Sequence, residues 1–188
     1  MANSQRQYRV AGLVADGFEQ VEFTEPRQAL EQAGAQVSIV SLEPGEVQGF
    51  NHFDRADRFP VDCTVRDANP DDFDALLIPG GAHSPDRLRA DEAVLEFIRA
   101  FDRAGKPIAV ICHGPWLLAS SGIARGRRLT SYHTIKDDLI NAGARWEDQA
   151  PIVDGNLLTA RNPQDLPQFN REMLRLFGLQ SQAQRKAA

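Results

Sequence analysis

One cysteine in this sequence stands where a reactive thiol could be presented. Cys112 follows the apolar run 107–111 and precedes His113, Gly114 and the apolar segment that begins at Trp116. This order is typical of a nucleophile elbow, in which a strand turns sharply into a helix and holds its reactive side chain at the apex. The helix N-terminus favours a thiolate, while the histidine and nearby amides supply a proton carrier and oxyanion donors. The alternative is that Cys112 is a small buried hydrophobe.

Two further strand ends carry acids or glycines. Residues 16–19, which end in Glu19, follow the first apolar run, and Gly80 and Gly81 follow the third. In parallel sheets, ligands bind beyond the carboxyl ends of the strands, so we expect these loops to meet the cysteine loop. His83 is close enough to the glycine pair to reach such a pocket. The second cysteine, Cys63, lies in an alternating segment, which favours a packing role.

The elements that must position these residues alternate between strand and helix. Apolar runs predict strands at 8–15, 36–41, 74–78, 107–111, 129–131, 151–153 and 157–159. Amphipathic stretches predict helices over about 20–33, 91–104, from 116, 135–141 and 166–177. Residues 43–66 are irregular and are expected to form hairpin-like excursions. This order predicts an α/β fold with a doubly wound, mostly parallel sheet flanked by helices, and with 107–111 in its interior.

Length and composition place the chain among ordinary globular domains. It has 188 residues, of which 42% are hydrophobic and 25% charged. We expect one domain over 8–178, between an N-terminal tail, 1–7, and a C-terminal tail, 179–188. These values argue against a disordered or collagen-like chain.

Several classes of function are disfavoured by what the sequence lacks. A net charge of −5 argues against nucleic acid as the main partner, and two cysteines exclude a disulfide scaffold or a CxxC site. The histidines lack metal-like spacing, so no metal is expected. No apolar stretch approaches the ~20 residues that span a bilayer, which predicts no membrane partner and a cytoplasmic location.

Motifs spread along the chain resemble one known family. The segments DGFEQVEF, FDALLIPGG, SPDRLR, ICHGPWLL, RGRRLTSY, IKDDLINAGA and VDGNLLTAR, in this order, are similar to the PfpI-like intracellular protease and general stress protein family of the DJ-one superfamily. The likeness covers about 8–178. It implies the class I glutamine amidotransferase-like fold, a flavodoxin-like three-layer sandwich.

The resemblance also implies roles for individual residues. Cys112 would be the nucleophile, His113 its catalytic neighbour, and Glu19 the carboxyl group that contacts the sulfur and passes a proton. The amides of Gly81, which follows Gly80, and of His113 would form the oxyanion site. Asp86 would orient His113 from the adjacent subunit.

Other positions bear on the expected pocket. The resemblance implies that Tyr132 lines the pocket. Trp116 stands where the family commonly has a glutamine, which would make part of the pocket narrower and more apolar. The segment 50–59 is longer than the usual hairpin and is expected to alter the pocket rim or a subunit contact.

Three functions remain open at this level, and all use the Cys112 thiolate without a cofactor. The first is a stress-protective glyoxalase or protein deglycase, in which Cys112 forms a hemithioacetal with a small carbonyl substrate or a glycated protein and Glu19 moves a proton. The second is a peptidase with a Cys-His-Asp triad shared across a homo-oligomer, a dimer or larger. The third is a redox-responsive stress protein or chaperone in which Cys112 is oxidised.

Overall fold

Short apolar runs form the strands of a central sheet, and the longer amphipathic stretches form the helices beside it. The computed structural model describes residues 6–180, so residues 1–5 of the expected N-terminal tail and 181–188 of the expected C-terminal tail lie outside the described residues. The strands are β1 (Arg9–Leu13), β2 (Phe18–Glu19), β3 (Gln36–Ser41), β4 (Glu46–Asn51), β5 (Asp54–Pro60), β6 (Cys63–Thr64), β7 (Ala75–Ile78), β8 (Ile108–Ile111), β9 (Arg128–Leu129), β10 (Arg145–Trp146), β11 (Ile152–Asp154) and β12 (Leu157–Ala160). The helices are α1 (Gln20–Gln32), α2 (His83–Arg89), α3 (Glu92–Arg103), α4 (Trp116–Ser121), α5 (Lys136–Asn141) and α6 (Leu166–Leu176).

Seven strands form the central sheet in the order β11-β12-β8-β7-β1-β3-β6. All neighbouring strands in it are parallel except β11 and β12, which form an antiparallel hairpin. The strand β8, which leads to Cys112, lies between β7 and β12. The predicted fold, a doubly wound and mostly parallel α/β sheet, is therefore confirmed.

Each interior strand is buried on both faces. Its successive side chains point to opposite sides of the sheet, and helices cover both sides. In β8, Ile108 and Val110 belong to the core under α3 and α4. Its alternate residues, Ala109 and Ile111, belong to the core under α1 and α6. The two cores make the molecule a three-layer sandwich with the carboxyl ends of the strands at one edge.

The irregular segment after β3 differs most from simple alternation. The strands β4 and β5 form an antiparallel hairpin that pairs with the short β2 in a separate three-stranded sheet. The helix α2 and the strand β10 were not predicted from the sequence, and β9 pairs with β10 outside the main sheet. None of the helices in residues 6–180 has the length and apolar character needed to span a bilayer.

The double-sided burial of the sheet gives a stability prediction. Leu76 on β7 is fully buried, so Leu76→Ala should lower the free energy of unfolding by about 2–5 kcal/mol, measured by urea denaturation. Ile140→Ala is the control, since Ile140 is one of the exposed hydrophobic side chains and should change that free energy by under about 0.5 kcal/mol. A Leu76→Ala protein with the wild-type midpoint would contradict this packing.

Candidate active site

Cys112 stands at the apex of a sharp turn between β8 and α4. Its φ of +64° is in the left-handed region, which is costly for a residue with a side chain. Two backbone hydrogen bonds hold the turn: the Cys112 N–H donates to the Ala160 carbonyl at 3.1 Å, and the Tyr132 N–H donates to the Cys112 carbonyl at 2.8 Å. The neighbouring strand and the loop after β9 thus fix this backbone conformation.

The glycine pair after β7 packs directly against this turn. A Cβ added at Gly80 would lie 2.6 Å from the Cys112 Cβ and 2.9 Å from the His113 nitrogen, so no side chain fits there. The next residue, Gly81, has a φ of +81°, and its amide and that of His113 both donate to the Cys112 sulfur. Two converging amides are the arrangement that stabilises negative charge on a sulfur or on an oxygen bound next to it.

A fully buried carboxyl group lies on the other side of the sulfur. Glu22, in the first turn of α1, is 0% exposed, and its Oε2 accepts the Gly80 N–H at 2.8 Å. The same carboxyl group is hydrogen-bonded to the Cys112 thiol. Its Oε1 has no hydrogen-bond partner among the described residues. Glu22 can therefore exchange a proton with an atom bound to Cys112.

The low polarity around this pair decides its protonation. Burial raises the pKa of Glu22 from 4.5 to about 8, with the negative charge of Glu19 contributing. Burial, together with the charge of Glu22, also raises the pKa of the Cys112 thiol well above its ordinary value, against the two amides, which lower it. At neutral pH both groups are thus mainly protonated, and attack by the sulfur requires a base.

His113 lies within the same turn, in a position to serve as that base. Its Nδ1 lies 3.3 Å from the Cys112 sulfur, and its Nε2 lies 3.4 Å from the Thr134 hydroxyl. The Tyr132 ring stacks on the imidazole at 4.8 Å, and Trp116 packs against its edge at 5.3 Å. Burial lowers the pKa of His113, and the neighbouring His133 adds to this, so the ring is neutral and able to accept a proton at pH 7.

A cavity of about 370 Å³ opens onto the sulfur, and the tip of the β4–β5 hairpin forms part of its rim. At that tip Phe53 is 96% exposed, and His52 has a φ of +57°. The lining residues are Glu19, Glu22, His52, Phe53, Gly81, Ala82, Cys112, His113, Tyr132, Thr134 and Pro163. Residues 6–180 contain no group of three or more His, Cys, Asp or Glu side chains placed to hold a metal ion.

Comparison with known proteins shows to which family this chain belongs. The model of the DJ-1/PfpI family matches residues 8–176. The chain belongs to the DJ-1/PfpI family. It is 44% identical over 169 residues to the putative cysteine protease YraA of Bacillus subtilis, covering 90% of this chain and 98% of that protein. It is 42% identical over 169 residues to the deglycase PfpI of Pyrococcus furiosus, covering 90% and 99%.

A solved structure from the family has the same fold. The crystal structure of Drosophila melanogaster DJ-1beta superposes with a TM-score of 0.84 at 27% identity, covering 96% of this chain and 95% of that one. The identification of a PfpI-like chain from its motifs is therefore confirmed.

In this DJ-1/PfpI chain the acid beside the sulfur differs from the one expected. Glu19 was expected to contact Cys112, and that expectation is wrong, because the carboxyl group at the sulfur belongs to Glu22. Glu19 ends β2 and turns toward the hairpin, where its Oε2 accepts the His52 N–H at 3.0 Å. Both acids line the cavity, but only Glu22, one turn into α1, reaches the elbow.

Besides Gly80, three other candidates lie outside the cavity lining. His83 packs over Gly17, where an added Cβ would lie 2.5 Å from its own Cβ. Trp116 lies behind His113 and donates its indole N–H to Asp138 at 2.7 Å. Asp86 is exposed on α2, and its side chain has no hydrogen bond or ion pair with the rest of residues 6–180. Its role across a subunit boundary stays a prediction.

Glu22, Thr134 and Pro163 also line the cavity and were not predicted to do so. Thr134 lies in a short 3-10 segment, His133–Ile135, and Pro163 in another, Pro163–Asp165. Both segments follow strand ends at the edge where the cysteine lies. The sequence does offer Glu22 as a candidate beside Glu19, since it is an acid three residues further on, in the first turn of α1, but it does not show which of the two reaches the sulfur.

The raised pKa of Glu22 makes folding stability depend on pH. The native state holds this proton more tightly than the unfolded chain, so the associated stability is present below pH 4.5 and is lost as pH rises through about 8. Glu22→Gln removes this titration. As pH rises from 5 to 9, the free energy of unfolding of the wild type should fall relative to that of Glu22→Gln, by at most about 1.4 kcal/mol per pH unit.

Urea denaturation at several pH values measures the effect. Glu25→Gln on the same helix is the matched control, because Glu25 is exposed to solvent and its replacement should leave the wild-type slope. Parallel stability curves for wild type and Glu22→Gln would contradict the burial-raised pKa.

Proposed function

We propose that this protein is a cofactor-free deglycase or glyoxalase that acts on small reactive carbonyls, either free or as early adducts on proteins. The observation that carries the proposal is the contact between the buried Glu22 carboxyl group and the Cys112 sulfur, beneath a cavity of about 370 Å³. A carboxyl group with a pKa of about 8 can both donate and accept a proton near neutral pH. The relative named deglycase PfpI supports the same assignment.

The first step is addition of the thiol to the aldehyde carbon of an α-oxoaldehyde. The S–H bond breaks, its proton passes to His113 Nδ1 at 3.3 Å, and a bond forms from sulfur to carbon. The carbonyl electron pair moves to the oxygen, which lies within reach of the Gly81 and His113 amides. Glu22, which is protonated at neutral pH, gives its proton to this oxygen, which completes a hemithioacetal and leaves Glu22 as a carboxylate.

The second step moves hydrogen between the adjacent carbons. Glu22, as carboxylate, takes the proton from the former aldehyde carbon and returns it to the former ketone carbon. The hydroxyl proton passes to the second oxygen, and a 2-hydroxy thioester remains on Cys112. Water then hydrolyses the thioester: its OH group joins the acyl carbon, its remaining proton returns to Glu22, and the sulfur regains the proton held by His113. A 2-hydroxy acid and the free thiol are released, so the reaction is an internal redox change that consumes only water.

A second candidate is peptide hydrolysis, favoured by the relative named putative cysteine protease. It requires His113 to be oriented by an acid, which in this chain would be Asp86 of a neighbouring copy in a homo-oligomer. The redox alternative is less favoured because oxidation follows thiolate character and exposure, and burial raises the pKa of Cys112. In all three cases we expect a cytoplasmic setting.

The decisive assay compares wild type, Cys112→Ser, Glu22→Gln and Glu19→Gln on methylglyoxal and on a methylglyoxal-treated peptide. Cys112→Ser should fall to background. Glu22→Gln should lose about 100-fold or more in kcat, since positioned proton transfer contributes about 10²–10⁴-fold. Glu19→Gln, a matched acid in the same cavity that does not contact the sulfur, should lose far less.

Cleavage of a fluorogenic peptide distinguishes the peptidase candidate from the deglycase or glyoxalase. If Cys112-dependent peptide cleavage persists in Glu22→Gln while wild type leaves methylglyoxal unchanged, the peptidase assignment replaces ours. Full methylglyoxal turnover by Cys112→Ser would also sink the proposal.

A further inference from the structure

The histidine beside the nucleophile has a partner for each ring nitrogen within one chain. Nδ1 faces the Cys112 sulfur at 3.3 Å, and Nε2 faces the Thr134 hydroxyl at 3.4 Å. A neutral imidazole carries one N–H donor and one acceptor nitrogen. Which nitrogen carries the hydrogen therefore decides whether His113 can act on the thiol at all.

Only one tautomer lets His113 accept the thiol proton. Since Nδ1 is the nitrogen at the sulfur, it must be unprotonated, and the hydrogen must reside on Nε2. A group that accepts a hydrogen bond from Nε2 favours that tautomer, and it also stabilises the imidazolium formed when the proton arrives. The Thr134 hydroxyl is the acceptor that lies there.

The surroundings of Thr134 hold its hydroxyl in this position. It belongs to the 3-10 segment His133–Ile135, whose Ile135 N–H donates to the Tyr132 carbonyl at 3.2 Å and whose Ile135 side chain is buried. Tyr132, one residue before the segment, stacks on the imidazole and donates its own amide to the Cys112 carbonyl. The loop that carries the hydroxyl is thus tied to the elbow it serves.

We propose that Thr134 is a positioning residue, whose hydroxyl selects the Nε2–H tautomer of His113 and thereby makes Nδ1 the base for Cys112. The proposal rests on the proposed function only in using Cys112 as the nucleophile, and it holds for any electrophile that the thiol attacks. The orienting hydroxyl then belongs to the same chain as His113 and Cys112.

The groups that face His113 set the background of any pH measurement. They come from the elbow, the 3-10 segment, the loop before it, α1 and β2: Cys112, His133, Tyr132, Glu22 and Glu19. All of them are retained in the variants at Thr134 below, so differences between those variants report on the hydroxyl.

The test measures alkylation of Cys112 by iodoacetamide from pH 6 to 9 in wild type, Thr134→Val and Thr134→Ser, with each cysteine resolved by mass spectrometry. Valine keeps the shape of threonine without the hydroxyl, and serine keeps the hydroxyl. Thr134→Val should lower the rate at Cys112 about threefold to tenfold near neutral pH, the loss expected for one hydrogen bond, and Thr134→Ser should restore it to within about twofold. The rate at Cys63, on the far edge strand β6, should stay the same in all variants and reports on intact folding.

Nitrogen NMR of the imidazole in the wild-type protein gives a readout that no variant can obscure. We expect His113 to carry its hydrogen on Nε2 in wild type and to show a mixture of tautomers in Thr134→Val. A wild-type ring protonated on Nδ1 would overturn the proposal. A Thr134→Val protein with the wild-type alkylation profile would also overturn the proposal. If Asp86→Asn then abolished the reactivity of Cys112, the orienting group would be Asp86 instead. If the alkylation and NMR results hold while methylglyoxal is not consumed, the proposed function fails and the role of Thr134 stands.

Discussion

The contact between Glu22 and Cys112 depends on removing a carboxyl group from water and placing it against a sulfur. A fully buried glutamate is rare because its charged form loses solvation. Here burial raises the pKa of Glu22 to about 8, so the carboxyl group is neutral at lower pH. Its remaining hydrogen bonds must then come from fixed groups, and the Gly80 amide provides one at 2.8 Å. The close approach of the β7 loop, the elbow and the first turn of α1 follows from this requirement.

The contact between Glu22 and Cys112 also requires a residue without a side chain at position 80. An added Cβ would meet the Cys112 Cβ at 2.6 Å and Glu22 Oε2 at 2.7 Å, so the acid and the thiol approach each other through space that only glycine leaves open. With the positive φ of Cys112, its sulfur lies against the Gly81 and His113 amides. The strained backbone at the elbow is held by two hydrogen bonds: the Cys112 N–H donates to the Ala160 carbonyl, and the Tyr132 N–H donates to the Cys112 carbonyl.

Much of the fold follows from the sequence because its strands are short apolar runs bounded by glycine, proline or acids. The strand Gln36–Ser41 has the predicted limits, and Cys112 lies at the strand end where the elbow pattern put it. The pattern was weaker where burial depends on distant groups. Glu19 and Glu22 are the same residue type three positions apart, and only the packing of α1 against the β7 loop shows which of them loses water. Thr134 and Pro163 reach the cavity through loops far along the chain, which no local pattern relates to Cys112.

Glu19 and Glu22 are only three residues apart, but their carboxyl groups lie in different environments and make different contacts. Glu19 remains at the rim, where its Oε2 accepts the His52 amide and lies 3.6 Å from His52 Nδ1. That bond holds a residue with a φ of +57° at the hairpin tip and so keeps the exposed Phe53 at the cavity mouth. Glu22, further into α1, is fully buried, and its raised pKa of about 8 keeps it protonated at neutral pH. The charge of Glu19 contributes to the raised pKa of Glu22, so the acid that shapes the rim also helps to keep the inner acid protonated.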